Sequence, residues 1–87
     1  MALVYLPQNL TVLFPGAPRQ IELEAASVAE LISALDARWP GMRHRLVTAG
    51  PALREHILVF VDGEKAGLEA QVQPGSEVRI LPAITGG

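Results

Sequence analysis

One pronounced amphipathic helix is predicted in the first half of the chain, and it restricts the fold more than any other feature. Ser27 is a good N-cap residue, and Glu30, three residues later, completes the pattern of a capping box. The apolar side chains that follow recur at helical spacing and form one stripe: Val28, Leu31, Ile32, Leu35 and Trp39. Pro40 and Gly41 end the helix, because proline disfavours the α conformation in the residue before it. The rest of the chain must therefore supply an apolar surface that covers this stripe.

Short segments with strand character lie on both sides of this helix. Residues 2–6 form a β-prone run that stops at Pro7, and residues 20–24 alternate polar and apolar side chains. Downstream, strand patterns occur at residues 57–61, which form a continuous apolar run typical of a central strand, at residues 64–66, and at residues 77–81. Turn signals separate the strands at residues 15–18, 62–63 and 74–75.

The order of these elements predicts the fold class. The first two strands should form a hairpin, and the chain then passes through the helix into three further strands. This order is typical of an α+β fold, the β-grasp (ubiquitin-like) mixed sheet with one main helix packed on one face. Residues 42–47 are expected to add a short second helix. Residues 8–14 either prolong the first strand or cross irregularly. A single domain is expected over residues 1–87, with a flexible Gly-Gly tail at about residues 82–87.

Composition excludes several classes of function. The chain has no cysteine, which excludes disulfides, zinc–thiolate sites and thiol catalysis. His44 and His56, without cysteine, predict no metal site. A net charge of −2 argues against nonspecific nucleic-acid binding. The sequence has neither the apolar stretch of a membrane helix nor the start of a signal peptide, so we expect a cytoplasmic protein that does not bind membranes.

The length argues against an enzyme. A chain of 87 residues buries only about 60–65% of its unfolded surface, so its core is thin. Such a core supports one sheet and one or two helices, but hardly a large substrate pocket. We therefore expect a carrier or substrate protein.

The chain ends in Gly86 and Gly87, soon after the last predicted strand. Residues 82–87 reach roughly 20 Å when extended. Glycines have no Cβ, so this backbone can pass through a narrow channel and approach a nucleotide closely. The Gly87 carboxylate becomes a good electrophile only after conversion to a species such as an acyl-adenylate. Sulfur or an amine can then replace AMP, and a carrier without cysteine must hold its sulfur at such a terminus.

The sequence resembles the MoaD/ThiS family of ubiquitin-like sulfur carriers, especially its CysO-like, cysteine-biosynthetic branch. The resemblance covers nearly the whole chain and is carried by residues 5–7, 56–64 and 74–87. The helix from Ser27 and its exit at residues 39–41 also lie where the family has them. The sequence departs from the family in residues 8–14, which are more apolar than expected.

This resemblance implies a cycle of activation and sulfur transfer. An E1-like adenylyltransferase of the MoeB/ThiF type would adenylate Gly87 with ATP and magnesium, and sulfur would then give a thiocarboxylate. A cysteine synthase-like enzyme or a molybdopterin synthase large subunit would accept the sulfur. In the second case the chain would be the small subunit of a molybdopterin-synthase-type complex. The chain itself would bind no cofactor.

Alternation in the last strands predicts a docking face. If Val59, Val61, Val78 and Ile80 meet the helix, then four other side chains point outward: Leu58, Phe60, Arg79 and Leu81. We expect these residues to bind the partner, together with three residues of the tail: Pro82, Ile84 and Thr85.

A basic segment in the middle of the chain and the tail itself leave alternatives open. The basic segment contains Arg38, Arg43, His44, Arg45, Arg54 and His56. A solvated face is the favoured interpretation, and contact with an acidic partner is the alternative. A Gly-Gly terminus also fits a ubiquitin-like modifier joined to lysines. A plain β-grasp interaction domain with incidental glycines is a third hypothesis.

Overall fold

The computed structural model describes residues 1–83, which form one mixed sheet and three helices. The strands are β1 Ala2–Tyr5, β2 Gln20–Leu23, β3 Ile57–Val61, β4 Glu64–Ala66 and β5 Glu77–Pro82. The helices in this part of the chain are α1 Gln8–Thr11, α2 Val28–Arg38 and α3 Met42–Leu46. The predicted strands and the two predicted helices are all confirmed. Their ends differ from the prediction by one residue in β1, β2, β5 and α3.

The sheet is mixed, with the strand order β2-β1-β5-β3-β4. β1 and β5 pair in parallel, whereas the other neighbours are antiparallel, including the predicted β1–β2 hairpin. β3 pairs on both sides, as its continuous apolar sequence predicts. The buried side chains of α2 and of the strands form one core cluster, so the main helix covers one face of the sheet. This is the predicted β-grasp architecture.

Helix α2 begins with the predicted cap. The Ser27 hydroxyl oxygen accepts a hydrogen bond from the Glu30 backbone N–H at 3.2 Å. The Glu30 carboxylate accepts from the backbone N–H of Ala26, the residue before the cap, at 3.3 Å. Four residues of the predicted stripe are buried, namely Val28, Leu31, Ile32 and Leu35. Trp39 is only half-buried against the core, because it follows the last helical residue and adopts a non-helical conformation.

Asp36 connects the end of α2 to α3. Its carboxylate oxygen Oδ1 accepts hydrogen bonds from the backbone N–H groups of Gly41 and Arg43, both at 3.0 Å. Gly41 has a φ of 100°, a left-handed conformation that favours glycine. The sharp reversal between the helices therefore depends on a side chain that the sequence analysis did not single out.

Residues 8–14 differ from both conformations considered for them. They begin with a single helical turn, α1, in which the Pro7 carbonyl accepts from the N–H groups of Leu10 and Thr11 at 3.0 and 3.1 Å. Pro7 ends the strand and precedes the first helical residue, and Leu10 anchors the turn in the core with 5% of its surface exposed. Burial of this one leucine explains why the segment turns instead of extending β1.

The turn between β3 and β4 is tied to the start of β5. Asp62 and Gly63 both have positive φ, 50° and 87°, as a tight hairpin turn requires. The Asp62 carboxylate accepts from the Ser76 hydroxyl and from the Glu77 backbone N–H, both at 2.9 Å. The Ser76 hydroxyl oxygen accepts in turn from the Gln73 N–H at 3.0 Å. Two turns at this end of the sheet are thereby held together.

Candidate functional site

The root of the tail lies at the end of the middle strand of the sheet. Pro82 is opposite Ile57 in the β3–β5 ladder, and the Ala83 N–H donates to the His56 carbonyl at 2.9 Å. Backbone pairing therefore fixes the chain as far as Ala83. Four predicted site residues lie outside the described residues: Ile84, Thr85, Gly86 and Gly87. Their roles remain predictions.

The two faces of β3 and β5 are assigned by burial. Val59, Val78 and Ile80 are at most 1% exposed and pack in the core. Val61, at the end of its strand, is only half-buried against it. On the other face, Leu58 and Phe60 are half-buried, whereas Arg79, Leu81 and Pro82 are exposed. The predicted outward orientation of the docking residues is confirmed, and partner binding by them is a prediction.

Cross-strand register brings the outward side chains together. Phe60 is opposite Arg79, and Arg79 is opposite Tyr5, so these three side chains lie in one row on the open face. Leu58 and Leu81 form the next row towards the tail. The Arg79 guanidinium lies 4.1 Å from the centroid of the Tyr5 ring, a cation–π arrangement. The open face therefore combines apolar side chains with charged ones: Arg79 lies over Tyr5, and Lys65 of β4 is opposite Phe60.

Tyr5 is a residue of this face that the sequence analysis missed. Its neighbour Val4 is fully buried, so alternation along β1 turns Tyr5 outward. The same alternation that was applied to β3 and β5 contains this signal. The parallel pairing of β1 with β5, which brings Tyr5 beside Arg79, is a tertiary contact that the strand pattern alone does not specify.

A shallow cleft at the root of the tail was also missed. Leu81 and Pro82 form one side of it, and Pro7, Val12 and Arg19 contribute to the other. Val12 is 67% exposed and Leu81 is 40% exposed, which is unusual for large apolar side chains. The apolar character of residues 8–14 was the available signal. The structure accounts for this apolar character, because α1 places Val12 beside the last strand.

The remaining candidates have structural roles or stay open. Ser27 is a helix cap, as predicted. Within residues 1–83, no three His, Asp or Glu side chains are grouped so that they could hold a metal ion. None of the helices in these residues is long and apolar enough to cross a membrane. Glu77 forms an ion pair with Arg79 at 3.7 Å, between two exposed side chains, so its contribution to stability is small.

The fold and this site define a class: a small β-grasp domain whose middle strand leads directly into a C-terminal tail ending in two glycines. The ThiS family model matches residues 12–87. The chain therefore belongs to the ThiS family, a family of ubiquitin-like sulfur carriers, as its resemblance to MoaD/ThiS proteins predicted. No curated protein matches the chain.

Solved structures agree with this assignment. A chain in the crystal structure of the Amycolatopsis orientalis BexX/CysO complex is 34% identical, with a TM-score of 0.88 and coverage of 100% of both chains. Mycobacterium tuberculosis CysO is 25% identical, with a TM-score of 0.85 and coverage of 97% of this chain and 100% of CysO. SAMP1 from Haloferax volcanii is 25% identical, with a TM-score of 0.80 and coverage of 99% of this chain and 98% of SAMP1. The similarity to CysO supports the predicted branch.

Proposed function

We propose that this protein carries sulfur as a thiocarboxylate at Gly87 and that it is a substrate of other enzymes, not itself an enzyme. The supporting observation is membership of the ThiS family over residues 12–87, a match that includes both terminal glycines. The tail follows the middle strand, and its root is fixed by the Ala83–His56 hydrogen bond. The last residues can therefore enter a partner's active site while the sheet docks outside it.

The proposed cycle begins with activation. An E1-like adenylyltransferase binds ATP and magnesium, and a Gly87 carboxylate oxygen attacks the α-phosphorus of ATP. A new O–P bond forms, pyrophosphate leaves, and Gly87 becomes an acyl-adenylate. Hydrosulfide then attacks the acyl carbon, a C–S bond forms, and AMP leaves, which gives the Gly87 thiocarboxylate. We expect this cycle to run in the cytoplasm, where ATP is available.

We propose that the open face of the sheet docks the activating enzyme. Tyr5, Leu58, Phe60 and Leu81 offer apolar area beside the root of the tail, and Arg79 lies among them. Interfaces bury an apolar and aromatic centre inside a polar rim, and arginine is enriched there. The cleft beside Val12 and Pro82 extends this surface towards the tail.

We propose a cysteine synthase-like enzyme as the sulfur acceptor. The two CysO structures, at 34% and 25% identity, favour a cysteine synthase-like acceptor over a molybdopterin synthase large subunit. One of them was solved as a BexX/CysO complex, so that relative binds another protein.

A ubiquitin-like modifier is the second candidate function. It is favoured by the similarity to SAMP1, a small archaeal modifier protein, at 25% identity over almost the whole chain. In that case a lysine amine would displace AMP from the same acyl-adenylate and form an isopeptide bond. The two functions share activation and differ only in the nucleophile.

Intact-mass spectrometry tests the proposal. The protein is incubated with a MoeB/ThiF-type adenylyltransferase from the same organism, ATP, magnesium and sulfide. The carrier function predicts a mass gain equal to one oxygen replaced by sulfur, located at Gly87 by fragmentation. Absence of both the adenylate and the thiocarboxylate would contradict the proposal. Lysine-linked adducts without a thiocarboxylate, in the same reaction supplied with cell protein, would favour the modifier.

A further inference from the structure

The charges of this chain are distributed very unevenly. Residues 38–56 contain four arginines and one acidic residue, Glu55, which gives this segment a formal charge of +3. The whole chain carries −2, so the remaining residues together carry −5. An acidic protein with one strongly basic segment presents opposite potentials at different parts of its surface.

The fold gathers part of this segment around one shallow pocket. Its walls are His44 and Arg45 from α3, together with Arg54 and His56 from the stretch before β3. We call this the cationic pocket. Arg54 is fixed in place, because its Nε donates to the His44 carbonyl at 2.8 Å and its backbone N–H donates to the Leu46 carbonyl at 3.0 Å.

The arginines of this segment have no acidic partner among residues 1–83, where the one ion pair joins Arg79 to Glu77. No carboxylate lines the cationic pocket in this part of the chain. A solvated face explains exposure but not the placement of two arginines beside two histidines around a concave surface. Charges arranged in this way are complementary to an acidic surface.

The position of the cationic pocket connects it with the tail. His56 forms part of its wall, and the carbonyl of the same residue accepts from the Ala83 N–H at 2.9 Å. Any enzyme that takes up the tail must therefore approach the surface beside the pocket. The β3–β5 pairing begins at Ile57–Pro82, directly after His56, so this wall of the pocket lies next to the root of the tail.

We propose that the cationic pocket docks a cluster of Asp and Glu side chains on the adenylyltransferase that activates Gly87; this inference rests on the proposed function. Attraction at the pocket and repulsion of the acidic remainder of the chain would act together. The carrier would approach an acidic surface with the pocket foremost, and the root of the tail at Ala83 lies beside that pocket. Electrostatic steering of this kind acts mainly on the association rate.

The test compares two variants of equal net charge. Arg45→Glu reverses one charge of the pocket and brings the chain from −2 to −4. Arg45 is exposed, so we expect the fold to persist. The double variant Gln71→Glu/Gln73→Glu also gives −4 and changes two exposed side chains away from the pocket. Association rates with the adenylyltransferase are measured by stopped-flow fluorescence at low and high salt.

Arg45→Glu should reduce the association rate about tenfold at ~0.05 M salt and less than about twofold at ~0.5 M, since salt screens the attraction. The double variant should stay within about twofold of the unmodified protein. Equal rates for the two variants, or a loss for Arg45→Glu that is independent of salt, would overturn the inference.

A separate measurement, the adenylation rate at saturating enzyme, tests the proposed function. At saturating adenylyltransferase, the unmodified protein and Arg45→Glu should be adenylated at the same rate, because docking is then complete. An unmodified protein that binds but is never adenylated would refute the proposed function. The ratio of association rates would still decide whether the cationic pocket docks that enzyme.

Discussion

The two faces of the sheet are formed by the same strands, but their side chains differ in burial. On the inner face, Val4, Val78 and Ile80 are at most 1% exposed and pack against α2. On the outer face, Phe60 is half-buried, and Leu81, the neighbour of Ile80 along β5, is 40% exposed. Alternation along each strand produces this difference, since successive side chains point to opposite faces.

The comparison separates stability from recognition. Burial of the inner face contributes most of the hydrophobic stabilisation, because that stabilisation scales with the apolar area removed from water. The outer face keeps apolar area exposed, and this area is available to a partner. Substitutions on the two faces should therefore affect different measurements: unfolding for the inner face and binding for the outer one.

Adjacent residues of β5 give the largest expected effect. Ile80→Ala should lower the free energy of unfolding by about 2–5 kcal/mol, because it leaves a cavity in the core. Leu81→Ala, its matched control, should cost at most about 1 kcal/mol, because this side chain is already 40% exposed. Urea denaturation followed by circular dichroism measures both. Similar losses for the two variants would contradict the assignment of faces.

Phe60→Glu tests the outer face. The domain should remain folded, because Phe60 lies outside the core cluster. Affinity for the adenylyltransferase should fall by about 2 kcal/mol, roughly 30-fold, because an aromatic anchor is lost and a charge must be desolvated. Circular dichroism and a binding titration on the same sample measure the two effects.

Gln20→Glu is the control for the added charge. Gln20 lies opposite Tyr5 on the edge strand β2, in the same row of the open face but far from Phe60. It should leave affinity within about threefold, since rim charges contribute little. A folded Phe60→Glu protein with unchanged affinity would remove Phe60 from the interface.

A smaller loss of stability is expected from substitution of Asp62. This residue joins the β3–β4 turn to the start of β5, at the end of the sheet away from the tail. Asp62→Ala removes the acceptor of the Ser76 hydroxyl and the Glu77 N–H, and should cost about 1–2 kcal/mol of stability. Asp62→Asn keeps an acceptor and tolerates positive φ, so it should cost less than half as much. Binding to the adenylyltransferase should not change for either variant. A loss of affinity in Asp62→Asn would show that this end of the sheet also contacts the enzyme.

The sequence was sufficient for the fold because its signals were local and regular. The capping box at Ser27, the apolar stripe of α2 and the alternation around Ile80 each predict an element and its buried side, and the structure confirms them. Features that depend on a distant contact were not predictable. Asp36 caps a helix that begins after its own has ended, and α1 exists because Leu10 finds space in the core.

The candidate site was predicted in part for the same reason. The outward orientation of Leu58, Phe60, Arg79 and Leu81 follows from alternation within single strands. Tyr5 and Val12 join the site through pairing and packing across elements, which the sequence pattern does not specify. The basic residues around His44 form a pocket only because α3 lies beside the segment leading into β3.

Deletion of Gly87 tests the central claim. Stability comes from the folded domain, whereas the terminal carboxylate is the group that the adenylyltransferase activates. ATP–pyrophosphate exchange with the adenylyltransferase and the Tm are measured for the deletion variant, for the unmodified protein and for Thr85→Ser, which keeps the tail length. The deletion should leave Tm unchanged, because a chain terminus makes few packed contacts. Exchange should fall at least about 100-fold, because the carboxylate is retracted from ATP by one residue. Exchange at the unmodified rate would contradict the account.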